Sequence, residues 1–293
     1  MTTVLVTGAT GHAGPSIAGR IQAGGYRVRA LARSRSRFGE LEALGWEPAL
    51  GDFADPDTLE GALDGVTAVV HCAAVGVPEL ARCQAVNVEG TKTLARLALR
   101  AQVRRFVHIS TVSVHGGDLP PRVDEETPLA TADPVPYCST KALGELALAE
   151  VRAQGLETVI LRPGMITHTV KSQWGNEMVE RMRSQGWPKD FHPGDVMPWV
   201  HTLNLAEMAW LSLRHPAAAN ETFLAVDRNV ALGDFYGPVA KALGQPIVAP
   251  DRAPQVSECH VGKLAAKLGY APVRTFEETV DGLVALALKA PGR

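Results

Sequence analysis

Six short apolar runs alternate with helix-patterned stretches over the first 165 residues, and that alternation narrows the possible folds more than any other feature. The runs fall at 4–7, 27–32, 47–50, 68–71, 106–110 and 158–162. Several are almost continuously apolar, as expected of parallel strands covered on both faces. Helical stretches lie between them, at 13–23, 37–44, 58–63, 80–101 and 136–154. Such an order predicts an α/β fold, a doubly wound parallel sheet with right-handed crossovers. Beyond Pro163 the character changes. Helices are expected at 176–184, 204–214, 232–243, 261–268 and 276–288, among clustered tryptophans and methionines. Residues 166–293 are therefore read as a smaller, mostly helical cap, part of which returns to the sheet near 221–226.

The first strand runs straight into Thr7-Gly8-Ala9-Thr10-Gly11-His12-Ala13-Gly14. Gly8, Gly11 and Gly14 have the spacing that closes a tight turn and brings backbone against a pyrophosphate at a helix N-terminus. Thr10, His12 and Ala13 lie within that turn. The reading for residues 1–165 is thus a dinucleotide-binding Rossmann domain. The second strand ends Ala32-Arg33-Ser34-Arg35, where an NAD-preferring site usually carries an acid for the ribose hydroxyls. An arginine there suits a 2'-phosphate instead, so NADP(H) is the expected cofactor, with NAD(H) the alternative. Asp52 and Phe53 follow the third strand, and Asp52 could accept from the adenine amino group. After the fourth strand, the small residues Ala73 and Ala74 let a cofactor lie close to the backbone. Finally, Tyr137 and Lys141 stand one helical turn apart on one face. A cation beside a phenol stabilises phenolate, which a general acid/base needs near neutral pH.

With 293 residues the chain can bury a full core without staples. Its net charge of −2 offers nothing global to nucleic acid or anionic membrane. Four scattered cysteines show no metal-ligand spacing and read as free thiols of a reducing cytosol. No metal site is expected. The apolar stretch at 66–77 is too short to span a bilayer, and a first strand beginning near residue 3 leaves no room for a signal peptide. The expected location is the cytoplasm.

These residues resemble the extended short-chain dehydrogenase/reductase family, which includes nucleotide-sugar epimerases and dehydratases, 3β-hydroxysteroid dehydrogenases and dihydroflavonol reductases. The resemblance rests on the glycine turn, Gly51-Asp52, His71-Cys72-Ala73-Ala74, Asn87-Val88-Glu89-Gly90-Thr91, Ser110-Thr111, Asp124 to Pro128, Tyr137-x-x-x-Lys141, Leu161-Arg162-Pro163 and Trp199-Val200-His201. It implies that Thr111 donates to a substrate oxygen, with Ser110 as the fallback. Tyr137 would exchange the proton and Lys141 would hold the nicotinamide ribose. Asn87, Ser110, Arg162 and Pro163 would join the cofactor site. A homodimer built on helices 80–101 and 136–154 is also implied. The chain departs from the family at His12-Ala13, where a bulky pair is usual, and at Thr202-Leu203-Asn204, which replaces an acidic pair.

Val112-Ser113 follow Thr111 where the 4,6-dehydratases carry Asp-Glu, so sugar dehydration is disfavoured. Arg162-Pro163-Gly164 lacks the asparagine with which epimerases grip a diphosphate. The expected function is NADP(H)-dependent oxidoreduction of a carbonyl or secondary alcohol on a small apolar substrate. An NAD-dependent nucleotide-sugar epimerase and a non-catalytic NADP(H) sensor are the alternatives.

Overall fold

Val4, Leu5 and Val6 have no exposed surface, and a strand buried on both faces needs helices on both sides of its sheet. The computed structural model, which describes residues 2–53 and 55–289, supplies them. Its strands are β1 (Thr3–Thr7), β2 (Arg27–Ala32), β3 (Glu47–Leu50), β4 (Ala68–His71), β5 (Arg105–Ile109), β6 (Arg122–Val123), β7 (Glu157–Pro163), β8 (Met165–Thr167), β9 (Val196–His201), β10 (Thr222–Ala225), β11 (Arg228–Ala231) and β12 (Glu258–Cys259). Its helices are α1 (Gly14–Ala23), α2 (Phe38–Ala43), α3 (Asp57–Glu60), α4 (Leu80–Cys83), α5 (Thr91–Arg100), α6 (Pro136–Arg152), α7 (Asn176–Gln185), α8 (Thr202–Arg214), α9 (Leu232–Ala242), α10 (Lys263–Leu268) and α11 (Phe276–Leu288).

Seven strands form one sheet in the order β10-β7-β5-β4-β1-β2-β3. Every pairing in it is parallel. Alternate side chains of β1 serve opposite faces. Val4 and Val6 join Ile17 and Ile21 of α1 and Trp210 of α8 in one core. Leu5 joins Leu94 of α5, Leu148 of α6 and Phe106 in the other. Each such aliphatic side chain contributes about 1.5–3 kcal/mol on burial. The chain reverses direction across the sheet between β1 and β4, so their C-terminal ends open the crevice where ligands bind in such folds.

Two departures from the sequence reading follow from side-chain packing. The stretch read as one helix at 80–101 is α4 and α5 joined by wider π-helical turns at Gln84–Gly90. Asn87 in that segment is drawn to the Val75 backbone. Trp210 and Met208, read with the cap, lie in the sheet's own core. There Trp210 meets Tyr26 edge-on at 5.0 Å and Arg20 covers its ring at 4.8 Å. The cap helices α7, α9 and α11 enclose a separate core around Trp199, Phe235 and Tyr236, flanked by a three-stranded sheet β11-β9-β8. Asn204, in place of the usual acid, ties the last segment down. Its amide donates to Asp227 and the Arg274 carbonyl, both at 2.7 Å, and accepts from the Val273 and Arg274 backbone. No described helix is long and apolar enough to cross a membrane.

Candidate active site

The glycine turn is held by its own geometry. Gly8 has φ of +64°, and a Cβ there would stand 2.8 Å from the Ala73 nitrogen. A Cβ on Gly14 would stand 2.0 Å from the Gly8 carbonyl oxygen. The Gly11 amide donates to that same oxygen at 2.9 Å, and α1 begins at Gly14 with Pro15 in its first turn. Backbone therefore approaches backbone across the ends of β1 and β4 more closely than a side chain at Gly8 or Gly14 would allow. Thr7 stitches the two ends together, accepting from the Ala73 amide at 3.2 Å.

A cavity of about 650 Å³ opens from this turn. Gly8, Thr10, Gly11, His12, Ala13, Gly14, Arg33, Asp52, Phe53, Ala73, Ala74, Ser110 and Tyr137 all line it. Arg33 is exposed and makes no hydrogen bond or ion pair with any described residue. Beside it stand Ser34, Ser36 and Arg37, and Arg82 reaches the same cavity from α4. Nothing in the local sequence around Arg82 marked it, because the packing of the 72–78 loop brings it there. The Nε2 of His12 is buried without a partner among the described residues. Burial lowers the pKa of this imidazole, with Glu177 opposing and His168 assisting.

Asn87 does not reach the cavity, contrary to its expected cofactor contact. Its side chain brackets Val75, accepting from the amide and donating to the carbonyl, both at 2.9 Å, and donates to Thr140 at 3.0 Å. All its polar atoms are used in fixing the loop that forms the cavity wall. Arg162 is likewise consumed inside the protein. It forms a buried ion pair with Glu145 at 2.7 Å and donates to the Glu125 carbonyl at 2.9 Å. Glu145 escaped the sequence reading. It also accepts from the Ser110 hydroxyl at 2.5 Å, and so anchors the floor of the site. Pro163 faces a different cavity from the one expected.

That second cavity, of about 810 Å³, lies between the sheet and the cap. His12, Ser110, Tyr137 and Ile166 line both spaces, so the two meet at Tyr137. Thr111 lines the second cavity, capping a short turn by accepting from the Ser113 amide at 3.2 Å. Burial raises the phenol pKa of Tyr137, a hydrogen bond with Thr111 lowers it, and Cys138 raises it. Lys141, expected to acidify this phenol, makes no hydrogen bond to it among the described residues. Its ammonium instead lies almost fully buried beneath the cleft floor. It donates to the Ile109 carbonyl at 2.9 Å and stands 3.1 Å from Nε2 of His108. Burial lowers the Lys141 pKa to about 8, with Glu145 and Cys72 opposing.

The apolar wall of the second cavity includes Val77, Val112, Leu119, Met165, Trp174 and Met197. Trp174 is steadied by Tyr236, whose hydroxyl donates to its carbonyl at 2.8 Å. Gln173, Gln255 and Ser257 add neutral polar groups, and none of the lining residues is Lys, Arg, Asp or Glu.

A doubly wound sheet with a glycine cradle at its switch point, opening beside a tyrosine, defines a dinucleotide-dependent α/β enzyme. The chain belongs to the NAD dependent epimerase/dehydratase family, whose model matches residues 4–225, and so to the extended short-chain dehydrogenases/reductases. It is 31% identical over 234 residues to the 4-hydroxy-2-methyl-3-oxo-4-farnesyl-3,4-dihydroquinoline-1-oxide ketoreductase of Stigmatella aurantiaca, covering 79% of this chain and 70% of that one. It is 36% identical over 168 residues to sterol demethylase protein B of Methylococcus capsulatus, covering 56% of this chain and about half (51%) of that relative. A short-chain dehydrogenase/reductase superfamily protein from Agrobacterium tumefaciens, solved with bound NAD, superposes with a TM-score of 0.81 at 25% identity. That match covers 97% of this chain and 96% of the other. An NAD(P)-type cofactor is therefore the property of the family. The site fits such a group, since the glycine turn at the start of α1 opens on a cavity that Arg33, Arg37 and Arg82 also line.

Proposed function

We propose that the protein is an NADP(H)-dependent oxidoreductase acting on a carbonyl, or in reverse a secondary alcohol, of a neutral and largely apolar molecule. The observation that carries this reading is the division of charge between the two cavities. Arg33, Arg37 and Arg82 line the first, whereas no charged side chain lines the second. A sugar nucleotide would bring a diphosphate into a space with no cation to pair it, and an unpaired buried charge is costly. The relatives named above support the same direction, one being a ketoreductase with a farnesylated substrate and the other named for a sterol.

The bound cofactor supplies or accepts hydride. In this reading the glycine turn takes the diphosphate on the N-terminus of α1. Arg33 meets the 2'-phosphate, and Asp52 faces the adenine. Lys141 serves the nicotinamide ribose. Thr111 donates to the substrate oxygen, while Tyr137 gives that oxygen its proton during reduction and takes it back during oxidation. The apolar wall with Trp174 and Met197 excludes water and selects an uncharged body. A homodimer through α5 and α6 and a cytoplasmic setting belong to the same reading. Leu146 on α6 is exposed, as such an interface would require.

Fluorescence titration with NADPH and with NADH tests it. Wild type is expected to prefer NADPH. Arg33→Ala should cut that preference roughly 5- to 30-fold, the worth of a charge-assisted hydrogen bond discounted for exposure. An unchanged ratio would return Arg33 to the role of a solvated helix start. Tightly held NAD that survives gel filtration would move sugar-nucleotide epimerisation to the front.

A further inference from the structure

Beneath the cleft, two imidazoles stack with centroids 5.3 Å apart, His71 from the end of β4 and His108 from β5. His71 is fully occupied. The Thr91 hydroxyl donates to the Asn87 carbonyl at 2.8 Å and so accepts from Nε2–H of His71 at 3.1 Å. Its Nδ1 then accepts from Thr7 at 2.7 Å. His108 differs. Its Nε2 faces the Lys141 ammonium, which has only protons to offer, so the ring proton must sit on Nδ1. That Nδ1 is buried and has no partner among the described residues. Protein cores seldom leave an N–H in that condition, and a leucine would fill the space without it.

We propose that His108 is a positioning residue for Lys141, its Nε2 taking one ammonium N–H while the Ile109 carbonyl takes a second, which reserves the third for a ligand in the cleft. This rests on the reading that Lys141 serves the cofactor. His108 is not a proton shuttle, because its far nitrogen leads nowhere. The titratable groups around Nζ come from three elements. They are His108 on β5, His71 and Cys72 at the end of β4, and Glu145 one turn on along α6, already paired to Arg162. Burial keeps both imidazoles neutral, holding His71 down at about 3 and His108 well below its ordinary value. They therefore act on Lys141 as acceptors and not as competing cations. An acceptor favours the charged amine, so its loss moves the Lys141 titration below pH 8.

Two measurements test the proposal without a substrate. In cofactor-free protein, ¹⁵N-histidine NMR should find His108 protonated on Nδ1 and His71 on Nε2. A His108 protonated on Nε2 overturns the proposal. NADPH affinity, measured by fluorescence from pH 6 to 10, should hold steady and then weaken near pH 8 in wild type. His108→Leu should bring that limb down by about one to two pH units, the worth of one charge-assisted hydrogen bond. His108→Gln, whose amide oxygen can accept, should restore it. A His108→Leu limb identical to wild type overturns the proposal, as does one that His108→Gln fails to restore. Lys141→Met separates the two ideas. If its alkaline limb persists, the reading of Lys141 falls. If the limb vanishes while His108→Leu leaves it unmoved, only the role of His108 falls.

Discussion

Glu145→Ala is the substitution whose cost the structure fixes most tightly. The Glu145 and Arg162 side chains are 3% and 6% exposed and meet at 2.7 Å, with further contacts from Arg162 Nε at 3.1 and 3.2 Å. Removing the carboxylate leaves a buried guanidinium with only the Glu125 carbonyl at 2.9 Å and His115 at 3.3 Å. It also strips the Ser110 hydroxyl of its acceptor. Breaking one partner out of a buried pair costs about 3–5 kcal/mol. A chain of 293 residues unfolds with an entropy of about 0.6 kcal/mol per degree, so Tm should fall by roughly 5–8 °C. Differential scanning calorimetry reads this directly. The companion variant Glu145→Leu/Arg162→Met removes both charges, and replacing a whole buried pair by apolar side chains is often neutral or better. It should regain most of the loss. A Glu145→Ala shift under about 2 °C would refute the account, because it would mean a loss near only 1 kcal/mol. So would a double variant no more stable than the single one, because the penalty would not then lie in the orphaned charge.

Three further outcomes are expected. Gly14→Ala drives a methyl into the Gly8 carbonyl and should lose about 3 kcal/mol, at the upper end for overpacking, with at least about 100-fold weaker NADPH binding by fluorescence. Asn87→Ala removes three hydrogen bonds, worth about 2–4 kcal/mol together. Urea denaturation should show that loss, and NADPH affinity should fall although Asn87 never reaches the cavity. Tyr137→Phe should keep NADPH affinity within about twofold while turnover of a hydrophobic ketone drops at least about 100-fold, the usual worth of a general acid.

The sheet was legible because its code is local. Buried parallel strands need unbroken apolar runs, and the run at 4–7 became β1 with no exposed surface at Val4, Leu5 or Val6. The glycine turn was legible for a similar reason, since its steric demand falls within seven residues. What stayed hidden depends on partners far along the chain. Asn87, Arg162 and Glu145 look alike in sequence, being polar residues near an active-site motif. Only packing shows that the first brackets Val75 and that the other two neutralise each other. Trp210 reads as part of a cap until Tyr26 and Arg20 are found against its ring.

The same distinction explains how Tyr137 and Lys141 divide their work. Spacing of four puts both on one helix face, which suggests one shared function for the pair. In the fold, the phenol stands where two cavities meet, while the ammonium is drawn under the floor by Ile109 and His108. A lysine so held makes no hydrogen bond to the phenol, and Thr111 is the partner whose hydrogen bond favours phenolate. Lys141 then acts on the phenol only as a charge at a distance, whereas Thr111 acts on it by a direct hydrogen bond. Cofactor affinity and proton transfer should therefore respond to the lysine's charge together, and to Thr111 separately. Thr111→Val should raise the pH at which Tyr137 ionises without touching the alkaline limb of NADPH binding, a split that two titrations on one variant can read.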